Sequence, residues 1–320
     1  MDQAPLISFI IPVYDVPADI LCECIESILA LSLRDFEREI IVVDDGSKAS
    51  PIADLADFID EIIYIRQKNG GVSMARNLGL RMATGTFIQF VDGDDALQPI
   101  YEHVVDLVRF QKADMVMFDF TDKQRPQVDY ADEGPFSGAE LMRKSNIHGA
   151  AWGYAFKSNL LGKLRFTPGI AYGEDEEFTP QLLLRAESVY RTTAKAYFYR
   201  QRSTSAINAS SVRRKLQRLH DTRSVISHLH KLEDKLPPID RIAMRRRTAQ
   251  LTMDYIYNTI VLTRNGKYLN RQLESLRREG LFPLPDLNCT KKYNWFRRLT
   301  NSKVGLSFLL HTLPLIAKER

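Results

Sequence analysis

The chain has 320 residues, 44% of them hydrophobic and 26% charged, which is enough apolar material to bury a full core and excludes a disordered polymer; one large domain with an appendage, or two domains, is expected. The formal net charge of +4 hides an asymmetry, because residues 211–320 carry 23 Lys and Arg against 9 Asp and Glu while residues 1–210 carry 21 against 31. An acidic front and a basic rear call for different partners.

Cys22, Cys24 and Cys289 form neither an even disulfide framework nor a zinc spacing, which fits a reducing compartment. The opening residues carry Asp2 and no basic segment before the short apolar run "LISFIIPV", unlike a secretory signal. No apolar stretch approaches the roughly 18 residues needed to span a bilayer. A cytoplasmic location is the expectation.

Residues 6–13 are continuously apolar, as a strand covered on both faces would be. Ile20, Leu21, Cys24, Ile25, Ile28 and Leu29 then recur as a helical stripe. Strands are predicted at "EIIVVDDGS" (39–47), "EIIYIRQ" (61–67), "TGTFIQFVDGDD" (84–95) and "ADMVMFDF" (113–120), with helices over about 71–83 and 99–111. Such alternation predicts an α/β fold with a doubly wound, mostly parallel sheet. Residues 121–150 are polar and rich in turn formers, and predict a loop or hairpin excursion. Order returns over 151–205, and beyond 210 amphipathic helices are expected, with stripes such as Leu216 and Leu219, then Met253, Ile256 and Ile260.

Ligands of such sheets sit beyond the carboxyl ends of the strands. Those ends carry Pro12-Val13-Tyr14-Asp15, Asp44-Asp45-Gly46-Ser47 and Asp92-Gly93-Asp94-Asp95. Neither G-x-G-x-x-G nor G-x-x-x-x-G-K-[ST] occurs, so a dinucleotide fold and a phosphate-loop ATPase lose their main signatures. Aspartates gathered at one turn repel one another, and a hard divalent cation removes that cost by taking one or two carboxylates plus substrate phosphates. The alternative is a solvated loop in which Asp94 or Asp95 caps the following helix. In "KNGGVSMARNLGL" (68–80) a glycine pair opening a helix leaves backbone N–H groups available, with Arg76 in reach of a phosphate or base edge; a plain helix start is the other reading. The acids of "GEDEEF" (173–178) suit a helix N-terminus, and one of them, crowded by the others, suits a general base; spacing does not say which. "YRQRSTS" (199–205) offers Arg200 and Arg202 to a diphosphate leaving group, or places them in solvent on a surface strand. The six histidines include no helical i, i+4 pair and receive no role.

Taken in order, "FIIPVYD", "EIIVVDDGS", "KNGGVSMARNLGL", "FVDGDD", "WG" and "GEDEEF" resemble the bacterial family 2 glycosyltransferases of GT-A fold, over roughly residues 6–206. The resemblance implies an inverting transfer of one sugar from a nucleoside diphosphate donor, usually UDP-linked, with Mn2+ or Mg2+. It implies a nucleotide pocket of Pro12, Val13 and Tyr14, with Asp44 or Asp45 on the uracil and Arg76 beside base or phosphates. Asp92 resembles the ribose-side member of a D-x-D motif, Asp94 the metal ligand with Asp95 a close second, and Asp175 the catalytic base. Glu174, Trp152 and Gly153 match the acceptor side, and Arg200 and Arg202 the diphosphate clamp. The Q-x-x-R-W motif and membrane spans of processive members are missing, which implies one hexosyl or N-acetylhexosaminyl unit per saccharide or lipid-linked acceptor in surface polysaccharide assembly. A sugar-phosphate nucleotidyltransferase would need a glycine-rich loop after the first strand, and "IPVYDVPADIL" has no glycine; a non-catalytic nucleotide-sugar-binding protein would not need Asp94 and Asp175.

These readings divide the chain into a GT-A catalytic domain at 1–206, with a nucleotide half at about 1–120 and an acceptor half at about 121–206, and a basic helical region at 207–320. Within "KKYNWFRRLTNSKVGLSFLLHTLPLIAKER" (291–320), basic residues alternate with Trp295, Phe296, Leu306, Phe308, Leu309 and Leu310, a composition suited to an anionic membrane surface on the cytoplasmic side. Packing on the catalytic domain or within a homo-oligomer is the other reading. Nucleic acid is not expected, since no motif for it accompanies the charge.

Overall fold

Seven consecutive buried residues, Ile7–Val13, make β1, and a strand without a solvent face needs neighbours on both edges. β2 (Arg38–Asp44) and β4 (Phe87–Phe90) supply them, both parallel to β1, and β3 (Ile62–Arg66) lies parallel on the far side of β2. In the other direction β8 (Tyr154–Lys157) is antiparallel to β4 and to β6 (Met115–Thr121), and β9 (Val189–Phe198) is parallel to β6. β5 (Ala96–Leu97) and β7 (Asp132–Phe136) run antiparallel to β9. The computed structural model describes residues 4–123, 127, 129–201, 211–287 and 290–316. Among them the strands form one sheet in the order β3-β2-β1-β4-β8-β6-β9-β5, with β7 on β9.

Two antiparallel steps through β8 restore the direction of β4 in β6. β1, β2, β3, β4, β6 and β9 therefore all end at one edge, where β8 begins. The turns that leave this edge carry nearly every residue singled out from the sequence.

The helices follow their apolar stripes. α1 (Ala18–Leu29) buries Leu21, Cys24, Ile25 and Ile28, and α3 (Tyr101–Phe110) buries Tyr101, Val104, Val105, Leu107 and Val108. α2 (Val72–Met82) buries Ala75, Arg76, Asn77, Gly79 and Leu80, so part of its inward face is polar. Gly79 lies so close to β1 that a Cβ there would sit 2.2 Å from Ile10 Cγ2. The expected excursion at 121–150 contains β7 and a short helix, α4 (Gly138–Lys144). α5 (Glu174–Leu183) opens on Gly173, whose φ of 87° favours glycine.

The chain divides into two compact units, residues 1–141 with 148–202, and residues 142–147 with 203–320. The second is helical: α6 (Val212–Glu233), α7 (Pro238–Thr263), α8 (Gly266–Arg278), α9 (Lys291–Thr300) and α10 (Lys303–Ile316). Ser211, Asn265 and Thr290 cap α6, α8 and α9 by accepting from Arg214, Tyr268 and Tyr293 N–H. α7 runs through the core of this unit, burying Met244, Leu251, Tyr255, Ile256 and Ile260. Its Arg246 Nη1 donates to the carbonyls of Met142 and Ser145, both at 2.7 Å, which ties residues 142–147 to α7. Phe296 and Leu309 belong to this core, while Trp295 and Phe308 stay 52% exposed. Among the described residues no helix is long and apolar enough to cross a membrane.

Gly79→Ala tests the contact of α2 with β1. Ile10 is fully buried and branched at Cβ, so it has little room to yield. Overpacking should cost about 1–3 kcal/mol, more than the roughly 1 kcal/mol that alanine gains over glycine in a helix. Thermal unfolding should show a lower midpoint; an unchanged or higher one would mean that α2 shifts freely.

Candidate active site

The two aspartates ending β2 are structural anchors. Asp44 is fully buried, with Oδ1 accepting Ser47 N–H at 2.8 Å and Oδ2 accepting the Tyr64 hydroxyl at 2.8 Å beside Arg66 Nε at 3.4 Å. Asp45 Oδ1 accepts Gln67 Nε2 at 2.7 Å and Gly70 N–H at 2.9 Å, and Oδ2 accepts Gly71 N–H at 2.7 Å. The expectation that the glycine pair leaves its backbone N–H groups available is therefore corrected: a carboxylate of the neighbouring strand end already holds them. Pro12 and Val13 are buried strand residues, and Tyr14 beyond them is 48% exposed at the same edge.

Arg76, in the second turn of α2, is 2% exposed and turns its guanidinium on three carboxylates. Nη2 lies 2.9 Å from Asp92 Oδ1, and Nη1 lies 2.5 Å from Asp175 Oδ1 and 3.1 Å from Glu174 Oε1. Phe90 and Phe166 put their rings 5.8 and 5.3 Å from the guanidinium carbon, closing the cation from water. Asp175 Oδ2 also accepts Ala151 N–H at 3.0 Å. Burial pushes the Glu174 carboxyl up to about 8, with the charge of Asp175 adding to the rise. Burial raises Asp175 as well, and Arg76 opposes that rise. All four acids of "GEDEEF" lie in the first turn of α5, as the macrodipole favours.

Asp92, Asp94 and Asp95 occupy the turn that leaves β4. Asp95 is buried, accepting the Tyr197 hydroxyl on Oδ2 and Arg200 N–H on Oδ1, both at 2.8 Å. Burial, then the charge of Asp92, pushes it up to about 8. Asp94 is half-buried, and its carbonyl accepts Arg200 Nε at 3.0 Å. Arg200 Nη2 reaches Glu23 at 2.7 Å. Neither aspartate caps α3, whose N-cap position is Ile100 without a side-chain bond. Arg202 lies outside the described residues. Among the described residues no three His, Cys, Asp or Glu side chains gather closely enough to hold a metal ion by themselves. The turn fits a divalent ion in a narrower sense: one or two carboxylates here, with the other ligands from phosphates and water.

Trp152 and Gly153, expected on the acceptor side, also lie at this edge. Trp152 and Gly153 are buried in the turn before β8, where the indole stacks on Tyr197 at 4.3 Å and 9° and the Trp152 carbonyl accepts Gln89 Nε2 at 2.7 Å. The structure adds residues that sequence reasoning passed over. Tyr197 bridges the turn after β4 and the Trp152 ring, and His148 pairs with Asp119 at 3.1 Å beside them. Tyr197 is an alternate residue of an aromatic strand and His148 a lone histidine in a polar stretch, so only the placement of Asp119 at the end of β6 was a usable signal.

Residues 8–159 match the family model described as Glycosyl transferase family 2. The chain is 31% identical over 218 residues to "Uncharacterized glycosyltransferase EpsJ" of Bacillus subtilis, a match covering 63% of this chain and 62% of EpsJ. The chain thus spans less than two thirds of that relative's length. Staphylococcus aureus TarS 1–349, solved in complex with UDP-GlcNAc, superposes with a TM-score of 0.60 at 16% identity, over 97% of this chain and 90% of that one. A mannosyltransferase from Pyrobaculum calidifontis, solved in complex with GDP-Man and Mn2+, gives 0.57 at 14% identity, over 96% of this chain and 87% of that one. These likenesses bear out the GT-A expectation for the fold. With the strand-end motifs in the places that the sequence implied, the chain carries a glycosyl transferase family 2 domain at residues 8–159.

Proposed function

We propose that this chain is an inverting glycosyltransferase that moves one hexosyl or N-acetylhexosaminyl unit from a UDP-linked donor to a saccharide or lipid-linked acceptor in surface polysaccharide assembly. The observation that carries the reading is the setting of Asp175. It is half-buried, fixed on one oxygen by Arg76 and on the other by Ala151 N–H, and it stands at the sheet edge that carries Asp92 and Asp94. A base held at both oxygens is oriented before its substrate arrives. Asp175 takes the proton of an acceptor hydroxyl, the hydroxyl oxygen attacks the anomeric carbon, and the bond to the diphosphate breaks with its electron pair leaving on the diphosphate. One displacement inverts that carbon, and no covalent intermediate forms.

The remaining residues take roles that follow from their positions. Arg76 is a positioning residue, since its N–H groups are directed at carboxylates. Pro12, Val13, Tyr14, Asp44 and Asp45 shape the nucleotide end, with Asp44 and Asp45 acting through the loops they hold. Asp92 lies on the donor side, and Glu174, Trp152 and Gly153 on the acceptor side. Asp94, half-exposed, would hold Mn2+ or Mg2+, with Asp95 behind it keeping the turn in shape. A bound ion would neutralise the leaving diphosphate, and Arg200, with Arg202, would add to that. The TarS complex with UDP-GlcNAc and the mannosyltransferase complex with Mn2+ share the fold and support the donor class and the ion.

The basic helices are proposed to rest on an anionic membrane at the inner face of the cell. Trp295 and Phe308 are each 52% exposed and Val304 is 83% exposed. Lys291, Lys292, Arg298 and Lys303 are exposed on the same two helices, so apolar side chains and charge are offered together.

Asp175→Asn should leave UDP binding, measured by calorimetry, nearly unchanged and lower transfer by about 10²–10⁴-fold, the range for losing a general base. Turnover within a few-fold of the parent would move the base elsewhere. Excess chelator should abolish transfer from a UDP-sugar panel, and Mn2+ or Mg2+ should restore it; activity untouched by chelation would remove the ion from the scheme. Co-sedimentation with phosphatidylglycerol vesicles should exceed that with phosphatidylcholine. Replacing Trp295 and Phe308 together by alanine should weaken it about tenfold or more, given the apolar area lost. Equal sedimentation of parent and variant would reject the membrane contact.

A further inference from the structure

One group of side chains at the carboxyl edge has no part in the donor chemistry. β6 starts with four buried residues, Met115 to Phe118, and then surfaces, leaving Phe120 40% exposed. Three rings stand nearly perpendicular to it: Trp152 at 5.1 Å and 81°, His148 at 5.8 Å and 78°, and Tyr199 at 6.2 Å and 76°. Beside it, His148 Nε2 meets Asp119 Oδ1 at 3.1 Å, with each side chain about one third exposed. Asp119 Oδ2 and His148 Nδ1 have no hydrogen-bond partner among the described residues.

Fold stability does not account for this group. A part-exposed His–Asp hydrogen bond is worth about 1 kcal/mol, and an aromatic ring left in water forgoes much of its burial energy. Apolar surface rimmed by a few fixed polar groups is instead the pattern of a ligand subsite. The pattern matches a pyranose, which offers an apolar C–H face to an aromatic ring and hydroxyls to a carboxylate and an imidazole. The location matches as well. His148 lies three residues before Ala151, whose N–H is bound to Asp175, and three residues span at most about 11 Å.

We propose that Phe120, Tyr199 and the Asp119–His148 pair form a saccharide subsite, holding the acceptor ring next to the one whose hydroxyl meets Asp175. This rests on the glycosyl-transfer reading above and deepens it by assigning a polyhydroxylated ring, rather than a lipid or a peptide, to this part of the site.

The full chain has two tryptophans, so a Trp295→Phe background leaves Trp152, against Phe120, as the sole reporter. With UDP and Mn2+ saturating, chitotriose, maltotriose and mannotriose are titrated against Trp152 fluorescence. At least one should give a saturable change. Phe120→Ala should weaken that binding at least about tenfold, the effect of about 1.4 kcal/mol, whereas Phe120→Tyr, which keeps the ring, should stay within a few-fold. His148→Ala should weaken it less than Phe120→Ala. UDP affinity should be the same in every variant. A trisaccharide bound equally well by Phe120→Ala, or no saturable change with any of the three, overturns the subsite. Failure of the parent to bind UDP would instead overturn the glycosyl-transfer reading beneath it.

Discussion

The buried guanidinium of Arg76 is the constraint on which the rest of the site depends. It joins Asp92, after β4, to Glu174 and Asp175, which lie 98 and 99 positions beyond Arg76 itself. Without a cation between them, these half-buried acids would repel one another in a place where water screens the charge only in part. Removing one partner of a buried charged network leaves the others uncompensated, at a cost of about 3–5 kcal/mol. Much of α2 serves this one side chain: Gly79 lets the helix lie on β1, and Phe90 and Phe166 wall in the guanidinium.

The motif "DDGS" and the glycine pair of "KNGG" are two halves of one joint. Asp45 gathers Gly70 and Gly71 N–H and so fixes where α2 begins, while Asp44 gathers Ser47 N–H and the Tyr64 hydroxyl. Residues that look like ligand binders in the sequence can thus be a layer behind the ligand. The entry point of α2 sets the height of Arg76, so a strand-end carboxylate acts on Asp175, the proposed base, through a helix.

The parallel half of the sheet was legible because its strands are buried on both faces and read as unbroken apolar runs, with β1 the clearest case. β7 was not, since "DEGPF" is almost wholly exposed and has no alternation to read. The reach of α7 to residues 142–147 was illegible for a different reason: Arg246 sits in "MRRRT", which looks like a solvated charge run, yet it is buried against the carbonyls of Met142 and Ser145. In the site, the motif acids were identified by type and their grouping at one edge was foreseen. Their partners were not, because tertiary contacts such as Arg76 with Asp175 or Tyr197 with Asp95 leave no local pattern.

The charge balance of the site gives its pieces a common logic. One arginine faces three carboxylates, and Asp94 and Asp95 add two more close by. Burial answers part of that excess by raising the Glu174 and Asp95 carboxyls to about 8. On the proposed reading the donor brings a diphosphate, which carries further negative charge, to the same edge. Arg200 is already engaged by Glu23, so its charge is not wholly available to meet it. On the same reading Asp94, the member of the trio that is neither buried like Asp95 nor held by Arg76 like Asp92, is where a divalent ion would meet both the protein and the phosphates with least loss of solvation. On the proposed reading the acceptor brings no comparable charge, and the surroundings of Trp152 are in keeping with that, since the rings of Phe120, Tyr197 and Tyr199 lie against it.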